Sequence, residues 1–224
     1  MRALDRELLS LGAAHLYYVH DPMCSWCWAF NPVWEILQAR LQGSVEVVYV
    51  LGGLASDSED PMAPAMRKKI ENIWRDIEIE VPGTRFNFDF WKVCTPRRST
   101  YMACRAVIAA HHIAPDFGLQ MIRSIQMAYY LHAQNPSDKS VLIDLAVKIG
   151  MDREQFAKIL DAEETDQELR SQIHFARKMG VWSFPALVLH RAGFDYQVLK
   201  IDYLDAKTML EQIRLITESE TGSG

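Results

Sequence analysis

Cys24 and Cys27 stand two residues apart in the run Asp21-Pro22-Met23-Cys24-Ser25-Trp26-Cys27-Trp28. Thiols at that spacing can close a disulfide, exchange it with another, or form half of a zinc site. The flanks favour redox chemistry. A short β-forming run over 15–20 precedes the pair and a helical pattern follows it, so a strand hands over to a helix that the CxxC opens. There the first sulfur meets unpaired N–H groups and the positive end of the helix dipole. Both favour the thiolate, the species that attacks disulfides. Cys27, one turn on, lies on the same side and can reach the first sulfur. This predicts Cys24 as nucleophile, with the more exposed sulfur, and Cys27 as the thiol that resolves the mixed disulfide. The alternative is a buried, inert pair.

Other residues bear on this chemistry less directly. Trp26 is expected exposed beside Cys24 on a binding surface, with Trp28 and Phe30 in the core. His20 and Asp21 at the strand end could tune Cys24, or simply be satisfied polar groups. Cys94 and Cys104, with nine residues between them, match neither a CxxC nor a zinc-ligand spacing. Cys104 falls in an apolar helical stretch, where free cysteine is commonly a small buried hydrophobe. His111, His112 and His174 lack any partner spacing for a metal, so no metal site is expected. The segment 95–100, Thr-Pro-Arg-Arg-Ser-Thr, opens the helix that carries Cys104. It could hold an anion such as a glutathione carboxylate, or serve only as a cap.

The elements that must position these residues follow from periodicity. Strands are expected over 15–20 and 45–51, with the CxxC helix between them, interrupted by Pro32 and stopped at Gly43. That is a right-handed βαβ unit with parallel strands. Residues 1–13 read as a helical or irregular lead-in. From 55 the texture is helical for more than a hundred residues. Helices are expected near 62–80, 100–112, 115–134, 139–149, 152–161 and 165–179, with a short turn or helix at 87–92. Asp152 with Gln155, and Thr165 with Glu168, read as capping boxes. A hairpin around Gly193 joins strands 186–190 and 196–201, and Asp205 can cap a last helix. Strand-forming pieces at both ends must meet in one sheet. The expectation is an α/β domain of 14–54 with 165–218, interrupted by an all-helical domain of 55–164.

Composition narrows the partners. The 224 residues carry a net charge of −5, which gives no electrostatic reason to expect nucleic acid. No apolar run approaches the roughly 20 residues that cross a bilayer. Asp5 and Glu7 interrupt the region where an export signal would turn apolar, so a cytoplasmic protein is expected. Four cysteines are too few for a disulfide-stapled scaffold. In a reducing compartment the pair would rest as a dithiol and form only transient disulfides.

The chain resembles the DsbA-like class of the thioredoxin superfamily, in which a helical domain is inserted into the thioredoxin fold. The sharpest match is DPMCSWCWAFNP, which is similar to the active-site segment of FrnE-type oxidoreductases. The second is Gly180-Val-Trp-Ser-Phe-Pro185-Ala-Leu-Val. The resemblance implies that Pro185 is cis and lies against the CxxC, leaving backbone groups at Phe184 to pair with an extended substrate. It implies a thiol–disulfide oxidoreductase or isomerase with Cys24, Cys27 and Pro185 catalytic and Trp26 and Phe184 binding substrate. Partners would be protein or small-molecule thiols and disulfides, with glutathione as a candidate redox partner and no other cofactor. Ser25-Trp26 between the cysteines is neither the Pro-His of DsbA nor the Gly-Pro of thioredoxin, so the direction of the reaction stays open. Oligomeric state does too. Two alternatives remain: a glutathione-dependent isomerase or transferase of the 2-hydroxychromene-2-carboxylate isomerase or kappa-class type, and a non-enzymatic peptide- or metal-binding protein. Related isomerases carry serine at the nucleophile position, and Cys24 argues against that branch.

Overall fold

The computed structural model describes residues 14–41 and 45–221. The expected lead-in over 1–13 and the helix stop at Gly43 lie outside them. Among the described residues four strands form one sheet: β1 (Ala14–His20), β2 (Glu46–Leu51), β3 (Ala186–Arg191) and β4 (Gln197–Leu199). Their order is β2-β1-β3-β4. The helices are α1 (Ser25–Leu41), α2 (Pro64–Glu80), α3 (Phe90–Val93), α4 (Tyr101–Ile113), α5 (Pro115–Tyr130), α6 (Lys139–Lys148), α7 (Arg153–Leu160), α8 (Glu163–Lys178) and α9 (Ala206–Thr221).

β1 and β2 run parallel, from His15 opposite Glu46 to His20 opposite Leu51, with α1 as the crossover. α1 is a single helix that contains Pro32. β3 runs antiparallel to β1 and sets Ala186 opposite Val19. The C-terminal end of β1, which leads into Cys24, therefore meets the start of β3, which follows Pro185. That register joins the two motifs of the sequence.

Alternation along the strands divides the core. Ala14, Leu16 and Tyr18 pack with Phe30, Trp34 and Leu37 of α1 and with Met209 and Ile213 of α9. Val19, Val50 and Val188 pack on the other face with Ala176 and Met179, near the end of α8. Each large side chain so buried contributes roughly 1.5–3 kcal/mol. The fold is a thioredoxin-type α/β domain with a helical insertion between β2 and β3. Helices α2 to α7 enclose a further core, which Met23, Ala29, Leu51 and Leu169 of the α/β part join and in which Trp74 meets the rings of Phe86 and Trp91 with centroids 4.8 Å away in each case. α4 is its centre, buried continuously from Ala103 to Ala110. Its one buried charge, Arg105, is paired with Asp57 at 2.8 Å and Asp166 at 2.9 Å, as a buried cation must be.

Several boundaries differ from expectation. Asp152 caps α7 through its side chain and the Gln155 N–H, but Thr165 does not cap α8. That helix starts at Glu163 after Ala162, and the Thr165 hydroxyl donates to the Ile159 carbonyl at the end of α7. The two helices follow so closely that Thr165 already lies inside the second. Glu163, Glu164 and Asp166 supply acidic residues to its first turn instead. α5 ends at Tyr130, short of 134, and β4 is trimmed to Gln197–Leu199.

Candidate active site

Cys24 lies at the turn from β1 into α1. Its N–H donates to the Asp21 carbonyl at 3.0 Å, and its own carbonyl accepts the Trp28 N–H at 3.1 Å. Cys24 therefore precedes the first full helical residue, Ser25. Asp21 holds this turn from inside. Its carboxylate is fully buried and accepts from the N–H of Met23 at 2.8 Å, the N–H of Leu54 at 2.7 Å and the Thr100 hydroxyl at 2.7 Å. One side chain thus ties the CxxC turn to the segment after β2 and to the start of α4. Burial raises the Asp21 carboxyl, and these three donors oppose the rise. Segment 95–100 is engaged through Thr100, while Arg97 pairs with Asp138 at 2.6 Å.

The two sulfurs differ in access. Cys24 is 6% exposed and Cys27 is not exposed at all. Burial, with the adjoining Cys24 thiol adding to it, pushes the Cys27 thiol well above its ordinary range. The Cys24 Sγ donates to the Phe184 carbonyl at 3.4 Å. The Phe184–Pro185 peptide bond is cis, and both residues are buried. The chain ends of β1 and β3 therefore place Cys24, Phe184 and Pro185 in one cluster.

Above this cluster opens a cleft of about 310 Å³ between the two parts of the molecule. Cys24, Trp26, Trp182 and Phe184 form one wall, and Met62, Met66, Ile70 and Ile73 form the other. Lys69 and Arg98 also line it, and both side chains are exposed. Trp26 is half-buried rather than exposed, because its ring rests on Tyr203 with centroids 4.9 Å apart. Phe30 is in the core as expected. Trp28 is only half-buried, donating its indole N–H to the Arg85 carbonyl at 3.1 Å and stacking on Tyr130.

Cys94 and Cys104 serve different surroundings. The Cys94 thiol donates to the Ala133 carbonyl at 3.1 Å. The Cys104 thiol is fully buried and donates to the Asp21 carboxylate at 3.5 Å. Burial and the neighbouring Asp21 raise it well above the usual thiol range. His112 pairs with Glu168 at 2.7 Å. Among the described residues no cluster of three or more His, Cys, Asp or Glu could hold a metal ion. None of the described helices is long and apolar enough to cross a membrane.

Some contributors to the site were not visible in the sequence. Tyr203 reaches it from the stretch before α9, where no local pattern marks it, and Thr100, the last residue of the segment read as a cap or anion site, reaches it through the buried Asp21 carboxylate. Gly52 directly follows β2, and nothing in the local sequence marks its part in the site. A Cβ there would stand 2.0 Å from the Phe184 ring.

Comparison with known proteins agrees with this fold. A family profile described as thioredoxin matches residues 17–212. Among curated proteins, the ClpXP adapter protein SpxH of Halalkalibacterium halodurans is 25% identical over 88% of this chain and 65% of its own length. That of Bacillus subtilis is 26% identical over 83% and 61%. The chain spans less than two thirds of these relatives. Among solved structures, a candidate protein disulfide isomerase from Nitrosomonas europaea superposes with a TM-score of 0.78 at 28% identity, covering 95% of this chain and all of that one. The cytosolic disulfide reductase DsbM from Pseudomonas aeruginosa superposes at 0.71 with 23% identity, covering 94% of this chain and 100% of its own. It has also been solved with GSH. At that identity the likeness to DsbM speaks for the fold.

Proposed function

The chain belongs to the thioredoxin family, and we propose that it is a DsbA-like thiol–disulfide oxidoreductase acting through a mixed disulfide on Cys24. The observation that carries this reading is the Cys24 sulfur held 3.4 Å from the Phe184 carbonyl at the floor of an open cleft. A substrate segment laid along 182–184 brings its disulfide to Cys24. Cys24 attacks, one substrate sulfur leaves as a thiol, and Cys27 then displaces the other by closing the Cys24–Cys27 disulfide. Phe184 and Trp26 provide the contact surface, and Pro185 shapes the wall beside the nucleophile. A thiol such as glutathione is the proposed partner that returns the pair to the dithiol. Lys69 and Arg98 on the cleft suit its carboxylates. We assign the work to a reducing, cytosolic compartment. The α/β part comprises 14–54 with 165–218, and the insertion 55–164 roofs the cleft and selects substrate.

The test uses Cys27→Ser, which keeps the nucleophile and removes the resolving thiol. Incubated with a mixed disulfide of glutathione and a reporter peptide, it is expected to hold one adduct on Cys24, releasable by dithiothreitol. Absence of any adduct would overturn the assignment.

A second reading is a protein-binding adapter, favoured by the name of the curated relatives. It predicts that a Cys24→Ser, Cys27→Ser variant keeps its full cellular activity. The oxidoreductase reading predicts that activity is lost. A glutathione-dependent isomerase would instead bind glutathione stoichiometrically without dithiol turnover.

A further inference from the structure

Arg177 sits in the last turn of α8, half-buried. Among the described residues it pairs with no carboxylate, and its guanidinium instead joins two carbonyls and two rings. Nη1 donates to the Val181 carbonyl at 2.6 Å and Nη2 to the Gly52 carbonyl at 3.3 Å. Its Cζ lies over the Trp182 ring, 5.0 Å from the centroid, and over the Phe184 ring at 5.6 Å. A planar fork can bond two acceptors and stack on π faces at once, which the compact ammonium of lysine cannot. One side chain thus fastens the segment 181–184 to the residue that follows β2. That segment carries the Phe184 carbonyl, which accepts from Cys24 at 3.4 Å.

Trp182 shows what the fastening serves. It is 74% exposed, more than any other described aromatic side chain, and it lines the cleft together with Cys24. An indole in water is a large apolar surface left uncovered, and such a ring beside a reactive group is a natural anchor for a bound chain. Holding it still before substrate arrives removes an ordering cost from binding. We propose that Arg177 is a positioning residue that makes 181–184 a docking edge for polypeptide disulfides, with Trp182 covered by the substrate chain beside its cysteine. Arg177 does not line the cleft and acts through Trp182 and Phe184. The class of substrate follows from reach. Trp182 stands two residues from Phe184, roughly 7 Å along an extended chain. A disulfide held at Cys24 therefore meets Trp182 only if peptide continues beyond its cysteine. A small disulfide ends short of it.

This inference rests on the oxidoreductase reading, and two disulfide probes keep the two apart. Fully reduced full-length protein is mixed with excess hydroxyethyl disulfide, or with the symmetric disulfide of a reporter peptide bearing Leu two residues to each side of its cysteine. Oxidation of the Cys24 and Cys27 dithiol to a disulfide, with release of two substrate thiols, is followed by acid quench over a range of probe concentrations. Each probe yields a limiting rate and a half-saturating concentration. Arg177→Met keeps the stem and removes the fork. It is expected to raise the half-saturating concentration of the peptide at least ten-fold and to slow the small probe three-fold at most. Trp182→Ala, at an exposed position, is expected to show the same split. The double variant should lose little more than either single one, because both changes remove the same anchor. Arg177→Lys keeps the charge without the fork and should fall within three-fold of Arg177→Met, and it decides the matter if Arg177→Met does not fold. Equal losses on both probes would mean that Arg177 only supports the fold, and would overturn the proposal. So would an unchanged half-saturation for the peptide, or losses that multiply in the double variant. In each of these cases the wild-type protein still reduces its probes and the oxidoreductase reading stands. Failure of the wild-type dithiol to be oxidised by either probe overturns both.

Discussion

Gly52 and Phe184 touch so closely that the absence of a side chain at 52 shapes the active site. A Cβ on Gly52 would lie 2.0 Å from the Phe184 Cε1 and 2.1 Å from its Cζ. The backbone at 52 has no room to retreat, because its N–H is bound to the His20 carbonyl at 2.7 Å. Gly52→Ala must therefore displace the Phe184 ring, and with it the carbonyl that meets Cys24. The expected outcome is at least a ten-fold loss of dithiol turnover and a stability loss of about 1–3 kcal/mol from overpacking. Phe184→Leu in the same chain should recover part of the lost stability, since it removes ring atoms that the new methyl meets. Urea unfolding of the two single variants and the double variant measures this coupling. Additive effects would show that the ring is not what Gly52 accommodates.

The unequal burial of the cysteines sets an order of labelling. Cys27 and Cys104 have no exposed surface, and burial raises both thiols. Cys94 is half-buried, with its thiol bonded to a carbonyl and also raised by burial. Cys24 is less exposed than Cys94 but stands at the N-terminus of α1, where the helix favours a thiolate. Brief alkylation of the reduced native protein near pH 6, followed by peptide mapping, should therefore label Cys24 first. Labelling of Cys27 or Cys94 ahead of Cys24 would reverse the assigned roles.

Why was the site partly legible in the sequence? The CxxC, the strand before it and the helix after it are local features, and local patterning reveals them. Their meeting with Phe184 and Pro185 followed because strand-forming pieces at both ends of the chain had to share one sheet. The register of β1 on β3 realises that meeting. Trp26 shows the limit of such reasoning. Its neighbour Tyr203 belongs to the stretch before α9 and turns an expected exposed indole into a half-buried one. Asp21 and Thr100 illustrate the same point with polar groups. Each is an ordinary cap or turn residue in sequence, and only the packing of α4 against the CxxC turn joins them at 2.7 Å. Thr165 erred in the other direction, since a good local capping pattern yielded to the tight succession of α7 and α8.

Cys94 and Cys104 provide a test of whether a second pair of thiols takes part. Their thiols bond to different partners, Ala133 and Asp21. Cys94→Ser combined with Cys104→Ala should leave dithiol turnover within a few-fold of wild type. It should cost about 1–2 kcal/mol of stability, mainly from the buried Cys104 site. Turnover and thermal unfolding of the purified variant check both parts. Loss of turnover in a folded variant would reveal a redox or positioning role that passes through Asp21.

His20 makes the stability of the protein depend on pH in a calculable direction. Burial lowers its pKa from 6.5 to about 4, so the folded protein keeps it neutral where the unfolded chain binds a proton. Stability is therefore highest above pH 6.5 with respect to this group and falls as pH drops towards 4, by on the order of 3 kcal/mol in all. Asp21 acts with the opposite sign. Its folded carboxyl is raised above 3.8, so the unfolded chain releases that proton more readily. Stability from this group thus grows as pH falls from the folded pKa to 3.8, and offsets part of the His20 loss. His20→Phe removes the first contribution and leaves the second. Between pH 7 and 5, wild-type protein should lose about 2 kcal/mol more than His20→Phe does in urea unfolding, at roughly 1.4 kcal/mol per unit below 6.5. Parallel pH profiles for the two proteins would mean that His20 takes up its proton in the folded state as readily as in the unfolded one. Solvent in the pocket that His20 lines together with Trp34 and Gln38 would then reach its Nε2 freely enough to solvate the cation.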